Sequence, residues 1–151
     1  MASKNFRHYR QEFASLDVPE SLEGVWQGEP VGPGWYRTLA GPSLAMGGLG
    51  GWWGKEFDGQ GGIDNLLERG GAFRRALRGA ARQAESLVDG KPCLRIEYPK
   101  GSRLPWVWIV DELRQVGDGE LLGMMVLKMK WLPHVAFPFV LHPCEEVEGL
   151  E

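Results

Sequence analysis

Hydrophobic and polar positions alternate along much of this chain. In residues 86–98, SLVDGKPCLRIEY, Leu94, Ile96 and Tyr98 share one face while Arg95 and Glu97 share the other. Asp89-Gly90, lying between two β-compatible runs, predicts a hairpin. SLEGVWQGEPVG reads as a strand ending in a Gly-Pro turn, and LPWVWIVDELRQV as a strand running into the turn GDGE. LLGMMVLKMKW is its partner, and FPFVLH closes the series. Three segments depart from period two. Phe6, Tyr9, Phe13 and Leu16 in NFRHYRQEFASL fall at helical spacing and predict a short amphipathic helix. GIDNLLERG suggests one helical turn packed by Ile63, Leu66 and Leu67. In AFRRALRGAARQAESL the stripe Phe73, Leu77, Ala80, Ala81, Ala84 and Leu87 fits a helix interrupted by Gly79.

Composition turns this pattern toward one architecture. Glycine makes up 22 of the 151 residues, about twice the usual ~7%, and it recurs every few residues from Gly24 to Gly71. Such spacing breaks helices and suits short strands joined by tight turns. Trp26, Trp35, Tyr36, Trp52, Trp53 and Phe57 share the same stretch, which excludes a low-complexity linker. Glycine alternating with aromatics fits a curved sheet whose bends need glycine and whose interior the rings fill.

In order along the chain, LEGVWQGE, WWGKEFD, DNL, DGKPCLRIEY, VDELRQVGDGELLGMM and FPFVL resemble a group of small bacterial proteins that open on G-x-W-x-G. The match covers residues 22–142. The resemblance implies an all-β fold, a calycin-like antiparallel β-barrel of the kind shared by lipocalins, fatty-acid-binding proteins and nitrobindins, preceded here by the short N-terminal helix. It also implies that FRRALRGAAR is a strand, against the helical periodicity, and we follow it there. It supplies no substrate. Residues 1–151 form a single domain on this reading.

A closed barrel of about eight to ten strands can hold one small ligand. In GGWWGKEFDG strict alternation sets Trp53, Lys55 and Phe57 on one face, and Trp52, Gly54 and Glu56 on the other. The face with Phe57 carries more apolar area, so Trp53 is expected inside the barrel and Trp52 on an outer or end surface. The expected walls are Trp53, Trp106, Trp108, Met125, Phe137 and Phe139, with Lys55, Asp111, Glu112 and Arg114 as candidate polar groups. The acidic pair beside an arginine fits two roles: an ion-pair network fixing strand register, or an acid–base site with shifted pKa values. Asp64 and Glu97 are weaker candidates for either. LLGMMVLKMKW is apolar on both faces, so its outside needs a cover, either the N-terminal helix or a second copy in a homodimer.

The remaining features mostly exclude. His8, His134 and His142 show no metal-ligand spacing, and a single axial histidine would be needed for haem, as in nitrobindins. Cys93 and Cys144 make neither CxxC nor a disulfide framework. The net charge of −3 gives no general attraction to nucleic acid. Arg74, Arg75, Arg78 and Arg82 form a basic strip without stacking aromatics and read as a solvated face. No apolar run approaches the ~20 residues of a membrane span, and MASKNFRHYRQEF has no signal-like apolar core. The sequence therefore predicts a cytoplasmic protein without a cofactor that binds a small apolar molecule in a barrel lumen. An enzyme acting on a hydrophobic substrate in the same cavity, and a haem-binding barrel, are the alternatives.

Overall fold

A computed structural model describes residues 4–117, 119–128 and 135–145. Eight antiparallel strands close into a barrel in sequence order, with the last pairing back onto the first. They are β1 (Glu23–Pro30), β2 (Trp52–Asp58), β3 (Gly62–Arg69), β4 (Ala72–Glu85), β5 (Pro92–Glu97), β6 (Ile109–Val116), β7 (Glu120–Leu127) and β8 (Val135–Cys144). The all-β barrel and its short N-terminal helix thus stand as expected. No helix among the described residues is long and apolar enough to cross a membrane.

Two local readings are corrected and one is upheld. GIDNLLERG is strand β3, not a helical turn: Ile63, Asn65 and Leu67 pair with Phe57, Lys55 and Trp52 of β2. Residues 72–85 are strand β4, as the resemblance implies, despite their helical stripe. The pairing of β3 with β4 slips between Ile63 and Asn65, and Leu77 adopts a left-handed φ of 48°. That bulge resets the alternation midway, so inward positions cease to be evenly spaced. The other correction concerns the glycine-rich stretch, which contains a helix, α2 (Gly34–Met46), with Pro42 inside it. In LPWVWIVDELRQV, too, Trp106–Trp108 form one 3-10 turn before the strand starts at Ile109.

The apolar residues divide between two sides of the sheet. Inside, Phe57, Ile63, Ile96, Leu113, Leu121 and Leu141 fill one half of the barrel, with Val18 and Leu22 packed against them. Outside, Val110, Leu122, Met124, Val126 and Ala136 form a second apolar layer. The first helix, α1 (Phe6–Ala14), covers it through Phe13 and Tyr9. This is the cover that the two-faced β7 required. Asn5 caps α1 by accepting from the His8 N–H at 2.9 Å.

Aromatic rings sit directly over inward glycines. A Cβ on Gly28 would lie 2.3 Å from the Trp52 ring, and one on Gly123 2.3 Å from the Phe139 ring. Each glycine makes room for a ring on a neighbouring strand, a pairing known to steady sheet glycines. This is why the chain places tryptophan and glycine together.

Candidate functional site

The other half of the barrel is hollow. A cavity of about 280 Å³ lies between the filled half and helix α2, which crosses its mouth. Tyr36 and Trp106 tether the two ends of that helix. The Tyr36 hydroxyl donates to the Pro138 carbonyl at 3.3 Å, and its ring stacks on Phe137 at 5.3 Å. The Trp106 indole donates to the Gly47 carbonyl at 2.7 Å. Between these ties, Leu39, Ala40, Ser43 and Leu44 roof the cavity, and Trp52, Ile109, Met125, Phe137 and Phe139 wall it. Trp35 and Met46 project from α2 toward solvent, as do Leu104 and Trp108 nearby, and Leu39 is itself partly exposed at the mouth.

A polar cluster borders the cavity. Lys55 on β2 and Asp111 on β6 are 2.8 Å apart and almost wholly buried. Because β2 and β6 are four strands apart in both directions around the barrel, their ion pair spans the lumen like a brace. The Lys55 ammonium also donates to Asn65 Oδ1 at 2.8 Å and to the Tyr98 hydroxyl at 3.0 Å. Tyr98 in turn donates to Asp111 Oδ2 at 2.7 Å. Asn65 accepts from the Trp52 indole at 3.0 Å and donates to the Leu77 carbonyl at 3.1 Å, at the β4 bulge. The Trp52, Tyr98 and Phe139 rings lie 5.7–5.9 Å from the ammonium. Burial, aided by the charge of Asp111, pushes the Tyr98 hydroxyl pKa well above its usual value, so it remains a proton donor.

The structure brings Lys55, Asp111, Trp106, Met125, Phe137 and Phe139 of the predicted set to this cavity. It places the other four elsewhere. Trp53 faces outward and meets Phe73 edge-on at 5.1 Å, while Trp52 takes the lumen position. The cause is a register slip between Trp52 and Gly54. It breaks the alternation just before Lys55 and reverses the assignment of the two rings. Trp108 is 43% exposed because the 3-10 turn swings it out of strand register.

Glu112 and Arg114 are fully buried but on the outer side of β6, under the β4–β5 turn and the end of α1. Glu112 accepts from Ser86 Oγ at 2.5 Å and from the Leu87 N–H at 2.7 Å. Arg114 donates to both Asp89 oxygens at 2.6 and 2.8 Å, and to the carbonyls of Phe13, Lys91 and Pro92 at 2.8–3.0 Å. Its guanidinium carbon lies 4.1 Å from the Phe13 ring centre. The pair therefore fixes architecture, tying a helix C-terminus and a hairpin to the barrel wall.

The weaker candidates join ladders on the outer surface. Asp64 pairs with Arg78 at 2.8 Å and Glu97 with Arg82 at 2.6 Å, so part of the basic strip is matched by acids on adjacent strands. His142 lies outside the barrel, 3.6 Å from Glu29 and 3.5 Å from Glu120, and His8 lies 3.3 Å from Glu12 on α1. His134 lies outside the described residues.

Sequence reasoning did not single out Asn65, Tyr98 or Trp52 for the site, nor the roof from α2. Tyr98 was legible as an inward neighbour of Leu94 and Ile96. Asn65 was hidden by the helical reading of its segment. No protein-family model, curated protein or solved structure matches this chain, so the site stands on its own geometry.

Proposed function

We propose that the protein binds a small, mainly apolar molecule inside the barrel beneath α2. The carrying observation is the cavity itself: about 280 Å³, walled by aromatic and aliphatic side chains, with one compact polar cluster. A well-packed interior leaves few voids larger than a water molecule. Met125 adds an adaptable surface to the wall. A shift of α2 would widen the entrance. That helix has no side-chain cap at its N-terminus, and Pro42 lacks the N–H that would continue its ladder. Its opening should cost less than global unfolding.

Trp52 and Trp106 line the cavity and Trp35 stands at its mouth, so tryptophan emission reports occupancy. Titration with fatty acids, terpenoids and flavonoids should shift or quench that emission saturably with at least one class. Emission unchanged by all three would refute the reading.

A second reading rests on the same cluster. Asp111, Lys55 and Tyr98 border the apolar space, an arrangement that also suits proton transfer to a bound molecule. Chemical change in a ligand incubated with the protein, lost in Asp111→Asn, distinguishes this reading from binding alone.

A further inference from the structure

The polar cluster has acceptor capacity to spare but no donor. All three ammonium hydrogens of Lys55 have partners, in Asn65, Tyr98 and Asp111. Tyr98 spends its proton on Asp111, and Asn65 commits its amide hydrogens to Leu77 and Tyr98. The indoles of Trp52 and Trp106 and the hydroxyl of Tyr36 are likewise taken. Ser43, the other hydroxyl at the cavity, sits on an exposed turn of α2. Asp111 differs. Its Oδ2 accepts from both Lys55 and Tyr98, while no described residue donates to Oδ1. The residue is 4% exposed and borders the cavity.

Charge narrows the choice further. Lys55 and Asp111 neutralise each other, so an entering carboxylate or ammonium would leave one net charge buried without a counter-ion. A carboxylate would also find no free donor in the polar cluster. A neutral hydroxyl meets neither obstacle and can donate to Asp111 Oδ1.

Resting on the binding function proposed above, we infer that the barrel selects an uncharged alcohol or phenol over carboxylates and over hydrocarbons, with the ligand hydroxyl donating to Asp111. A cavity of about 150 Å³ takes benzene, so about 280 Å³ suits a two-ring or comparable aliphatic body.

Isothermal titration calorimetry at pH 7 with naphthalene, 1-naphthol, 1-methoxynaphthalene and 1-naphthoate tests the inference. 1-Naphthol should bind about tenfold more tightly than naphthalene or its methyl ether, the gain expected of a hydrogen bond to a charged acceptor. 1-Naphthoate should bind most weakly of the four. The double substitution Lys55→Met/Asp111→Leu removes both charges together, a change that buried ion pairs often tolerate. It should lose the preference for 1-naphthol over its methyl ether, which is read as the ratio of the two affinities and not from their absolute values. If the double variant does not fold, the comparison of 1-naphthol with its methyl ether on the unaltered protein still decides. Equal affinity for those two, or tighter binding of 1-naphthoate, overturns the inference and leaves apolar binding standing. No binding of any of the four overturns both.

Discussion

The doubled tryptophan yields the sharpest test of the fold, because the register slip at Trp52/Gly54 gives two adjacent, identical residues opposite surroundings. The Trp52 ring occupies the space left by Gly28, meets Phe139 edge-on at 6.1 Å, and donates its indole N–H to Asn65. Trp53 makes one edge-on contact with Phe73 on the outer face. Truncating Trp52 to alanine removes core contacts and opens the cavity wall, a loss of about 3 kcal/mol, at the low end for buried aromatics because one side already borders a void. The lost indole N–H strands no acceptor, since Asn65 Oδ1 retains Lys55. Trp53→Ala forfeits a single aromatic pair and some surface burial, about 1 kcal/mol. With a urea dependence of about 2.5 kcal/mol per molar, the midpoints should fall by about 1.2 M and about 0.4 M respectively. Far-UV circular dichroism is the suitable probe, because both variants alter the fluorescence itself. Equal losses, or a larger loss for Trp53→Ala, would refute the bulge and the inward placement of Trp52 with it.

Three further outcomes follow from the packing and the charges. Arg114, with help from the Lys91 N–H, holds the Asp89 carboxyl below its usual pKa. A depressed carboxyl contributes stability that is present above its unfolded pKa and lost as pH falls through the folded one. Asp89→Asn should therefore cost about 3 kcal/mol at pH 7 by leaving Arg114 underpaired. It should also flatten the loss of stability below about pH 4, as read from denaturant midpoints across pH. Burial pushes the Cys93 thiol up to about 12, whereas Cys144 is exposed. A thiol reagent should modify Cys144 alone in the native protein and Cys93 only after denaturation, a difference mass spectrometry resolves. Gly28→Ala would force its methyl into the Trp52 ring and push that ring toward the cavity. Stability should drop by about 1–3 kcal/mol, and ligand affinity should drop with it in the fluorescence titration.

How much of this was legible follows from where alternation persists. β5 keeps period two throughout, and its inward residues Leu94 and Ile96 could be read directly, whereas β7 is apolar on both faces and its pattern alone does not say which side turns inward. β2 and β4 carry bulges, and each bulge misleads a count of periods. One exchanged Trp52 with Trp53, and the other made a strand look helical. A bulge adds one residue without leaving a mark in the hydrophobic pattern, so period counting cannot locate it. Helix α2 was hidden differently. Gly34, Gly41 and Pro42 oppose helix formation, and tertiary ties at Tyr36 and Trp106 compensate for the poor local propensity. Asp111 beside Glu112 shows the opposite limit: their alternation was legible, but which of them faced the hollow depended on distant partners. Lys55 waits across the lumen from one, Ser86 beside the other.

The order in which the strands close has a consequence for how the chain assembles. Seven of the eight pairings join strands that follow one another in sequence, and from β2 to β8 the chain can zip hairpin by hairpin. The seam between β1 and β8 is different, aligning Gly28 with Leu141, about 110 positions away, whereas the β6–β7 hairpin aligns Val116 with Glu120. By loop-closure entropy alone the seam starts about 3 kcal/mol behind such a hairpin. It should be the last pairing to form and the first to part. Until β8 leaves the ribosome, β1 and β7 each present an unpaired edge, and in that interval a nascent chain is most prone to stick to its neighbours.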